Sequence, residues 1–217
     1  LTTLYKSIIC NNFLQANLFQ KSRREIIVYG YCGRILHVDL THQTFYVEEP
    51  DEAFYRKYMG GSSLGVYYAL TKMPPRLDAF DPGNVLVFAT SATTGAPISG
   101  ASRFNVTAKS PLTGAIGDSQ AGGFWGTELK YAGFDGVVIT GRSSKPTYLW
   151  ICDGQYELRD ATAIWGKGTG EAQATIREEL KDPKVRIALI GPAGENLVRY
   201  ACITNELKHF NGRTGMG

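Results

Sequence analysis

No apolar run in the chain approaches the roughly 20 residues that a bilayer-crossing helix needs, and that absence excludes a membrane span. Cysteine is scarce: Cys10, Cys32, Cys152 and Cys202 form neither a CxxC pair nor an evenly spaced framework. This argues against a disulfide scaffold and for a reducing, cytoplasmic compartment. Charge of one sign is also missing, since 23 basic and 20 acidic residues leave a net +3. Spread along the chain, that balance points to no nucleic-acid partner. Standard nucleotide and hydrolase signatures are absent too. GKGTG at 166–170 lacks P-loop spacing, no GxGxxG stands between a strand and a helix, and there is no GxSxG elbow. What is left is a globular composition, 43% hydrophobic and 20% charged over 217 residues, enough for one large core or two small ones.

The segment before residue 29 differs from the rest, having no glycine, no proline and a basic cluster at 21–24. Lys6, Asn11 and Asn12 interrupt its apolar residues and the basic cluster follows them, the reverse of a secretory signal. Glu25 and the scarcity of serine count against an organellar presequence. A short appended helix is the expectation there. Residues 1–28 are thus an extension or leader, and residues 29–217 the domain.

From Tyr29 the pattern is regular. GRILHVDLTHQTFYVEE (33–49) alternates apolar and polar residues on both sides of a turn, as a hairpin with one buried face does. Pro50, Asp51 and Glu52 start a helix, a second helical run over 64–73 stops at Pro74, and NVLVFA (84–89) reads as a buried strand. The same order recurs roughly 100 residues later. TYLWICDGQYELRD (147–160) is a hairpin, 170–180 an amphipathic helix, 185–190 a buried strand, and GPAGEN opens a loop. The residues after each loop also match, Arg103, Phe104 and Asn105 against Arg199, Tyr200 and Ala201. The expected fold is α+β, two related halves with largely antiparallel sheets. The second half stops at HFNGRTGMG where the first continues through SQAGGFWGTELKYAGFDGVVITG, so the domain reads as truncated at its C-terminal end.

Glycine is where the chain is rich, above all in GAPISGASRFNVTAKSPLTGAIGDSQAGGFWG (95–126). Glycines let backbone N–H groups converge on an anion, and Arg103 adds a forked donor for phosphate. A helix over 125–132 would place the glycines at its N-terminus, a further anion site. Tight turns between short strands also consume glycine, and both readings stand on the residues alone. His37 and His42 read as surface or turn histidines without partners at metal-ligand spacing. His209 lies in the terminal glycine loop, in reach of a phosphate or merely solvated. Trp125 and Trp165 read as core anchors. Asn105-Val106-Thr107 is a chance sequon, and no residue of the chain reads as catalytic.

YGYCGRILHVDL, FATSATTGAPISGASRFNVTAKSPLTGAIGDSQAGGFWGTELKYAGFDGVVITG, IWGKGTGEAQATIR, ALIGPAGENLVRYACI and NGRTGMG occur in that order. Together they resemble the N-terminal domain of the tungsten-containing aldehyde ferredoxin oxidoreductases, from about Tyr29 to the last residue. The resemblance implies tungsten, or molybdenum, held by two pterins beside a 4Fe-4S cluster. It also implies oxidation of aldehydes to carboxylic acids with ferredoxin as electron acceptor. It is compatible with a homodimer, and it implies a base of two related sheets that carries the bis-pterin.

Carried over by position, Arg103 matches the arginine at the pterin phosphates. Gln120, Ala121 and Gly122 match a cofactor-contacting Asn-Ser-Gly segment, and His209, Phe210 and Gly212 match the second loop. The backbone carbonyls of Gln120 and Phe210 match those facing a magnesium that bridges the phosphates. Gln120 replaces an asparagine and His209 stands where an arginine can occur, so backbone contacts carry over while side-chain contacts do not. The family's cluster cysteines and metal-side acid or base residues match nothing in this chain, which implies an inactive fragment that needs the remaining domains of the full-length enzyme. Relatives begin close to Val28, so residues 1–27 are an upstream leader or a lineage-specific extension. Two other readings remain open: a same-superfamily oxidoreductase such as an aromatic acyl-thioester reductase, and a non-catalytic scaffold module.

Overall fold

The computed structural model describes residues 30–217 and the backbone of residues 7–10. Its elements run β1 (Ser7–Cys10), β2 (Ile35–Asp39), β3 (Thr44–Glu48), α1 (Glu52–Tyr58), α2 (Gly61–Lys72), β4 (Leu86–Ala89), β5 (Phe104–Lys109), β6 (Ile116–Ala121), α3 (Trp125–Tyr131) and β7 (Gly136–Thr140). Then follow β8 (Thr147–Cys152), β9 (Gln155–Asp160), α4 (Thr169–Leu180), β10 (Arg186–Leu189), α5 (Pro192–Glu195), β11 (Ile203–Asn205) and β12 (His209–Asn211). Two six-stranded sheets result, ordered β3-β2-β7-β4-β5-β6 and β9-β8-β1-β10-β11-β12. Each has one parallel pair, β2–β7 and β1–β8, and is otherwise antiparallel, so the α+β reading with two related halves holds.

Period-2 alternation builds the layers. Leu36 and Val38 of β2, Phe88 of β4, Leu149 and Ile151 of β8 and Ala188 of β10 share one core between the sheets. The intervening residues face outward. Ile35, Val87 and Ala89 meet Leu64 and Tyr68 of α2, while Tyr148, Ile187 and Leu189 meet Ala172 and Ile176 of α4. Asp51 caps α1 by accepting from the Phe54 amide at 2.9 Å, a bond that satisfies one of the free first-turn donors. Helix α2 ends at Met73, before Pro74. It lies close on β5 because Gly65 has no side chain: a Cβ there would sit 2.1 Å from Thr107 Oγ1.

Several expectations need correction. Residues 7–10 form a strand in the second sheet rather than part of an appended helix; the rest of that expectation lies outside the described residues. GPAGEN opens with the short helix α5, with Pro192 in its first turn. The two halves align differently after the loop. Asn105 pairs with Gln120 as Thr204 pairs with Phe210, so Cys202, not Arg199, is level with Arg103. His37 is not on the surface: it is 4% exposed and its ring stacks on Tyr46 at 4.1 Å. Both hairpin histidines have carboxylate partners, His37 Nε2 with Glu48 at 2.7 Å and His42 Nδ1 with Asp39 at 2.7 Å. Trp125 is fully buried and Trp165 packs at the core's edge, as anchors do. Asn105, fully enclosed and bonded to Thr107 and Asp118, is no glycosylation site.

A buried carboxylate closes the first half. Asp135 accepts from the amides of Cys32 at 3.0 Å and Gly33 at 2.8 Å and from the Tyr55 hydroxyl at 2.9 Å, with Lys130 Nζ at 3.7 Å. Burial, with Asp135 alongside, pushes the Cys32 thiol up to about 12, which makes it an inert packing group.

Asp135→Ala would strand those donors and leave Lys130 only its carbonyl partners, Gly30 and Ser91, and urea denaturation is expected to register a loss of about 3 kcal/mol. His37 supplies a pH test. Burial is the main cause that lowers its pKa from 6.5 to about 4. The unfolded chain therefore takes up the proton first, and stability present above pH 6.5 is lost as pH falls toward 4. His37→Phe should flatten that part of the stability profile; an unchanged slope would show that other groups set it.

Candidate functional site

The edge strands β6 and β12 bring the two sheets together. Side chains stitch the junction. Asn211 Nδ2 donates to the Ser119 carbonyl at 2.8 Å, the Arg213 amide donates to Ser119 Oγ at 3.1 Å, and Ser110 Oγ donates to the Thr214 carbonyl at 2.6 Å. Buried Asn205 directs its Nδ2 to the carbonyls of Gly122 at 3.2 Å and His209 at 3.5 Å. One amide therefore ties a loop of the first half to a strand of the second.

At one end of this seam the chain forms a cleft of about 450 Å³. Arg103, Gln120, Ala121, Gly122, His209 and Phe210 all line it; Gly212 does not. The cleft also takes in Gly100, Ser102, Gly123 and Lys208, which sequence reasoning missed. Lys208 and Gly123 adjoin expected positions, and that adjacency was the available signal. Asn205 gave none, because its role exists only once the sheets meet.

Close approach explains the glycines. Gly123 has φ of +90°, and a Cβ there would lie 2.2 Å from Asn205 Oδ1 and 2.9 Å from His209 Cδ2. The His209 ring lies against this glycine pair, so any side chain would drive the two walls apart. Asn205 Oδ1 is itself buried without a hydrogen-bond partner.

Arg103 and Lys208 are exposed and form no ion pair among the described residues. Glu206, the carboxylate nearest in sequence, is otherwise engaged: it accepts from the Phe124 amide at 2.7 Å and lies 4.0 Å from Arg186, which stacks on Phe124. That bond corrects one expectation, since the N-terminus of α3 is met by Glu206 rather than left for a phosphate. Two unpaired cations beside backbone that nothing can crowd suit an oxyanion.

The sheet registers add a relation between the walls. Leu36 and Phe88 flank Val137 as Leu149 and Ala188 flank Ser7. Ala89 pairs with Asn105, and Asn105 with Gln120, as Leu189 pairs with Thr204, and Thr204 with Phe210. Gln120 and Phe210 are thus the same position of the repeated unit, and each stands at the cleft. No group of three or more His, Cys, Asp or Glu side chains among the described residues comes together as a metal site.

Comparison with known proteins follows the same lines. The model of the aldehyde ferredoxin oxidoreductase N-terminal domain matches residues 35–217. The tungsten-containing aldehyde ferredoxin oxidoreductase of Pyrococcus furiosus is 45% identical over 190 residues, 88% of this chain and 31% of that protein. The WOR-like subunit of an aliphatic sulfonate oxidoreductase from the same organism is 33% identical, over 88% of this chain and 32% of its own length. Among solved structures, the active-site complex BamBC of benzoyl coenzyme A reductase with 1,5-dienoyl-CoA superposes with a TM-score of 0.84 at 37% identity, covering 87% of this chain and 29% of that one. The chain spans about a third of the length of these relatives.

Arg103→Ala removes an exposed, unpaired side chain, so stability should stay within about 0.5 kcal/mol of the parent. Pyrophosphate affinity, measured by calorimetry, should fall roughly tenfold with the charge-assisted bonds. Gly123→Ala should cost about 2 kcal/mol of stability or more and weaken pyrophosphate as well. Parent-like binding by Arg103→Ala would remove the cleft as an anion site.

Proposed function

Because the chain belongs to the aldehyde ferredoxin oxidoreductase family, we propose that it is the bis-pterin-binding base of a tungsten-dependent oxidoreductase that converts aldehydes to carboxylic acids and passes the electrons to ferredoxin. One observation carries this reading: residues 103, 120–122 and 209–210, distant in sequence, line one cleft with two unpaired cations.

The residues fit a phosphate-bearing cofactor. Arg103 and Lys208 would take phosphate oxygens, Arg103 with its forked donor set. The Gly122–Gly123 backbone would admit a bulky ligand to van der Waals contact, where a Cβ would strike Asn205 and His209. The carbonyls of Gln120 and Phe210 would supply hard oxygen donors to a magnesium. Gly212, off the cleft, would act through the chain's path rather than by contact. When bound, the tungsten or molybdenum bis-pterin supplies the two-electron chemistry. This chain's contribution is to hold and orient: Asn205 fixes the spacing of the two walls, and the seam beneath keeps the cleft's floor closed. The 4Fe-4S cluster ligands and any proton-transferring residue belong to the remaining domains of a cytoplasmic, soluble enzyme, which is a homodimer on this reading. Residues 1–28 are its extension or leader.

A second reading keeps the cofactor and changes the substrate. The benzoyl coenzyme A reductase complex, at 37% identity, shares this base, so the base alone does not select aldehydes.

The full-length enzyme, expressed with tungstate, tests both. Metal analysis should find tungsten or molybdenum at about one per chain, and viologen-linked oxidation of crotonaldehyde should be robust. The 217-residue chain alone should show none. Metal with activity only on aryl thioesters would select the second reading, and a metal-free product inert to both would reject the cofactor base.

A further inference from the structure

Arg103 is exposed at its side chain yet held at its main chain. Phe104, the next residue, is buried against Trp125 at 4.7 Å and lies parallel to Phe88 at 6.5 Å, so the chain is anchored from the entry of β5 onward. On the other side Gly95, with φ of +86°, donates from its amide to the Ala101 carbonyl at 3.0 Å and closes the loop between them. The loop then reaches Arg103 itself. Thr94 Oγ1 donates to the Arg103 carbonyl at 2.8 Å.

Thr94 is in turn fixed from behind. It is 5% exposed, its hydroxyl oxygen accepts from the Ser91 amide at 2.9 Å, and its own amide donates to the Ser91 carbonyl at 3.1 Å. Such a reciprocal pair, three residues apart, locks a turn through side chain and backbone together. The Ser91 carbonyl takes a second donor, Lys130 Nζ at 2.7 Å, and Lys130 is the cation that faces buried Asp135 at 3.7 Å. Ser91 also bridges to Gly60, immediately before α2. A line of contacts therefore runs from the closed interior of the first half, through Asp135, Lys130, Ser91 and Thr94, to the main chain of the arginine at the cleft.

We propose, on the reading of the cleft as an anion site, that Thr94 is its positioning residue: through the bond to the Arg103 carbonyl it fixes the point from which that side chain reaches an oxyanion. The gain is preorganisation. An arginine side chain loses rotamer freedom when its guanidinium is bound, and a mobile backbone would add the cost of ordering the loop at the same moment. Here the ordering is completed in folding, by one hydroxyl that is donor and acceptor at once. A methyl in its place would deprive the Ser91 amide and the Arg103 carbonyl of this partner, and the charged side chain would start from several places instead of one. Thr94 does not line the cleft. It acts through Arg103, so its effect must vanish when the Arg103 side chain is gone.

Pyrophosphate, titrated calorimetrically into the 217-residue chain, tests this as a double-mutant cycle. Thr94→Val should weaken pyrophosphate about fivefold, and Thr94→Ser, which keeps the hydroxyl, should bind as the parent does. In an Arg103→Ala background Thr94→Val should have no further effect, whereas in a Lys208→Ala background its loss should persist. A general loosening of the fold would instead weaken binding by the same factor in every background. That result would overturn the proposal, as would a loss in Thr94→Ser equal to that in Thr94→Val. Should Thr94→Val fail to fold, Thr94→Ala, which leaves room for a water to serve the stranded groups, goes through the same cycle with the same expectations. A parent chain that binds no pyrophosphate would overturn the reading of the cleft and this inference with it; parent binding that Thr94→Val leaves intact would overturn the inference alone.

Discussion

The rest of the molecule depends on the contact between β6 and β12. Two sheets that share one apolar core are held face to face by burial, but burial is non-directional and would permit sliding. Register between the halves is fixed at the edges instead, where Asn205, Asn211, Ser110 and Ser119 join backbone groups across the junction. Such bonds need chains within hydrogen-bond distance, which restricts what can stand between them. A Cβ on Gly117 would lie 2.6 Å from Met216 Cε and 2.8 Å from Thr214 Oγ1. Glycine is therefore concentrated along the seam because the seam is close, and the cleft is the end of the seam where the closeness leaves backbone facing outward.

Duplication then gives the cleft its character. Register equivalence of Gln120 and Phe210 means that one backbone position is offered twice, once from each half, to whatever binds there. A ligand with two similar parts is met by two similar walls, and neither wall needs a dedicated side chain to do it. The asymmetry that remains lies in side chains: Arg103 stands level with Cys202, so the arginine has no twin, and Lys208 enters from the turn that the second half shortens. The outer layers diverged more freely. His37 with Glu48 and Tyr68 under α2 corresponds to Trp150 with Arg159 stacked on it at 4.4 Å, two different solutions to covering the same spot of a sheet.

Period and punctuation made the fold largely legible. The alternation in both hairpins, the Asp51 cap, the stop at Pro74 and the recurrence of order all follow from local physics, and the structure has them. What failed was non-local. Arg199 looked like the counterpart of Arg103 because the two follow similar loops, whereas strand pairing, which only the sheet reveals, shifts the match to Cys202. His37 looked exposed because histidine on a hairpin usually is; Glu48 of β3 and Tyr68, which reaches from α2 to donate to Glu48, make its burial tolerable. The helix N-terminus at Trp125 looked like an anion site because the residue that satisfies it, Glu206, lies far along the chain. Of the seven expected site residues, Arg103 and His209 were also suggested by their glycine loops, and the other five came from resemblance alone. Six of the seven meet at the cleft and Gly212 does not, since backbone path, unlike spacing, cannot be counted along a sequence.

One of these errors bears on the site itself. Glu206 was missed because it completes a group of the other half, and the cleft is a second place where the halves complete each other. Arg103, Gln120 and Gly122 are unremarkable as part of one half; Lys208, His209 and Phe210 are equally so in the other. Charge, close backbone and paired carbonyl positions coincide only when Asn205 sets the separation, and Asn205 can do so only because Gly123 leaves it room. Removing the exposed Arg103 side chain leaves the scaffold intact, whereas a side chain at Gly123 disturbs scaffold and site together. Stability and binding are therefore separable at Arg103 and inseparable at Gly123, a division that follows from which of the two belongs to the seam.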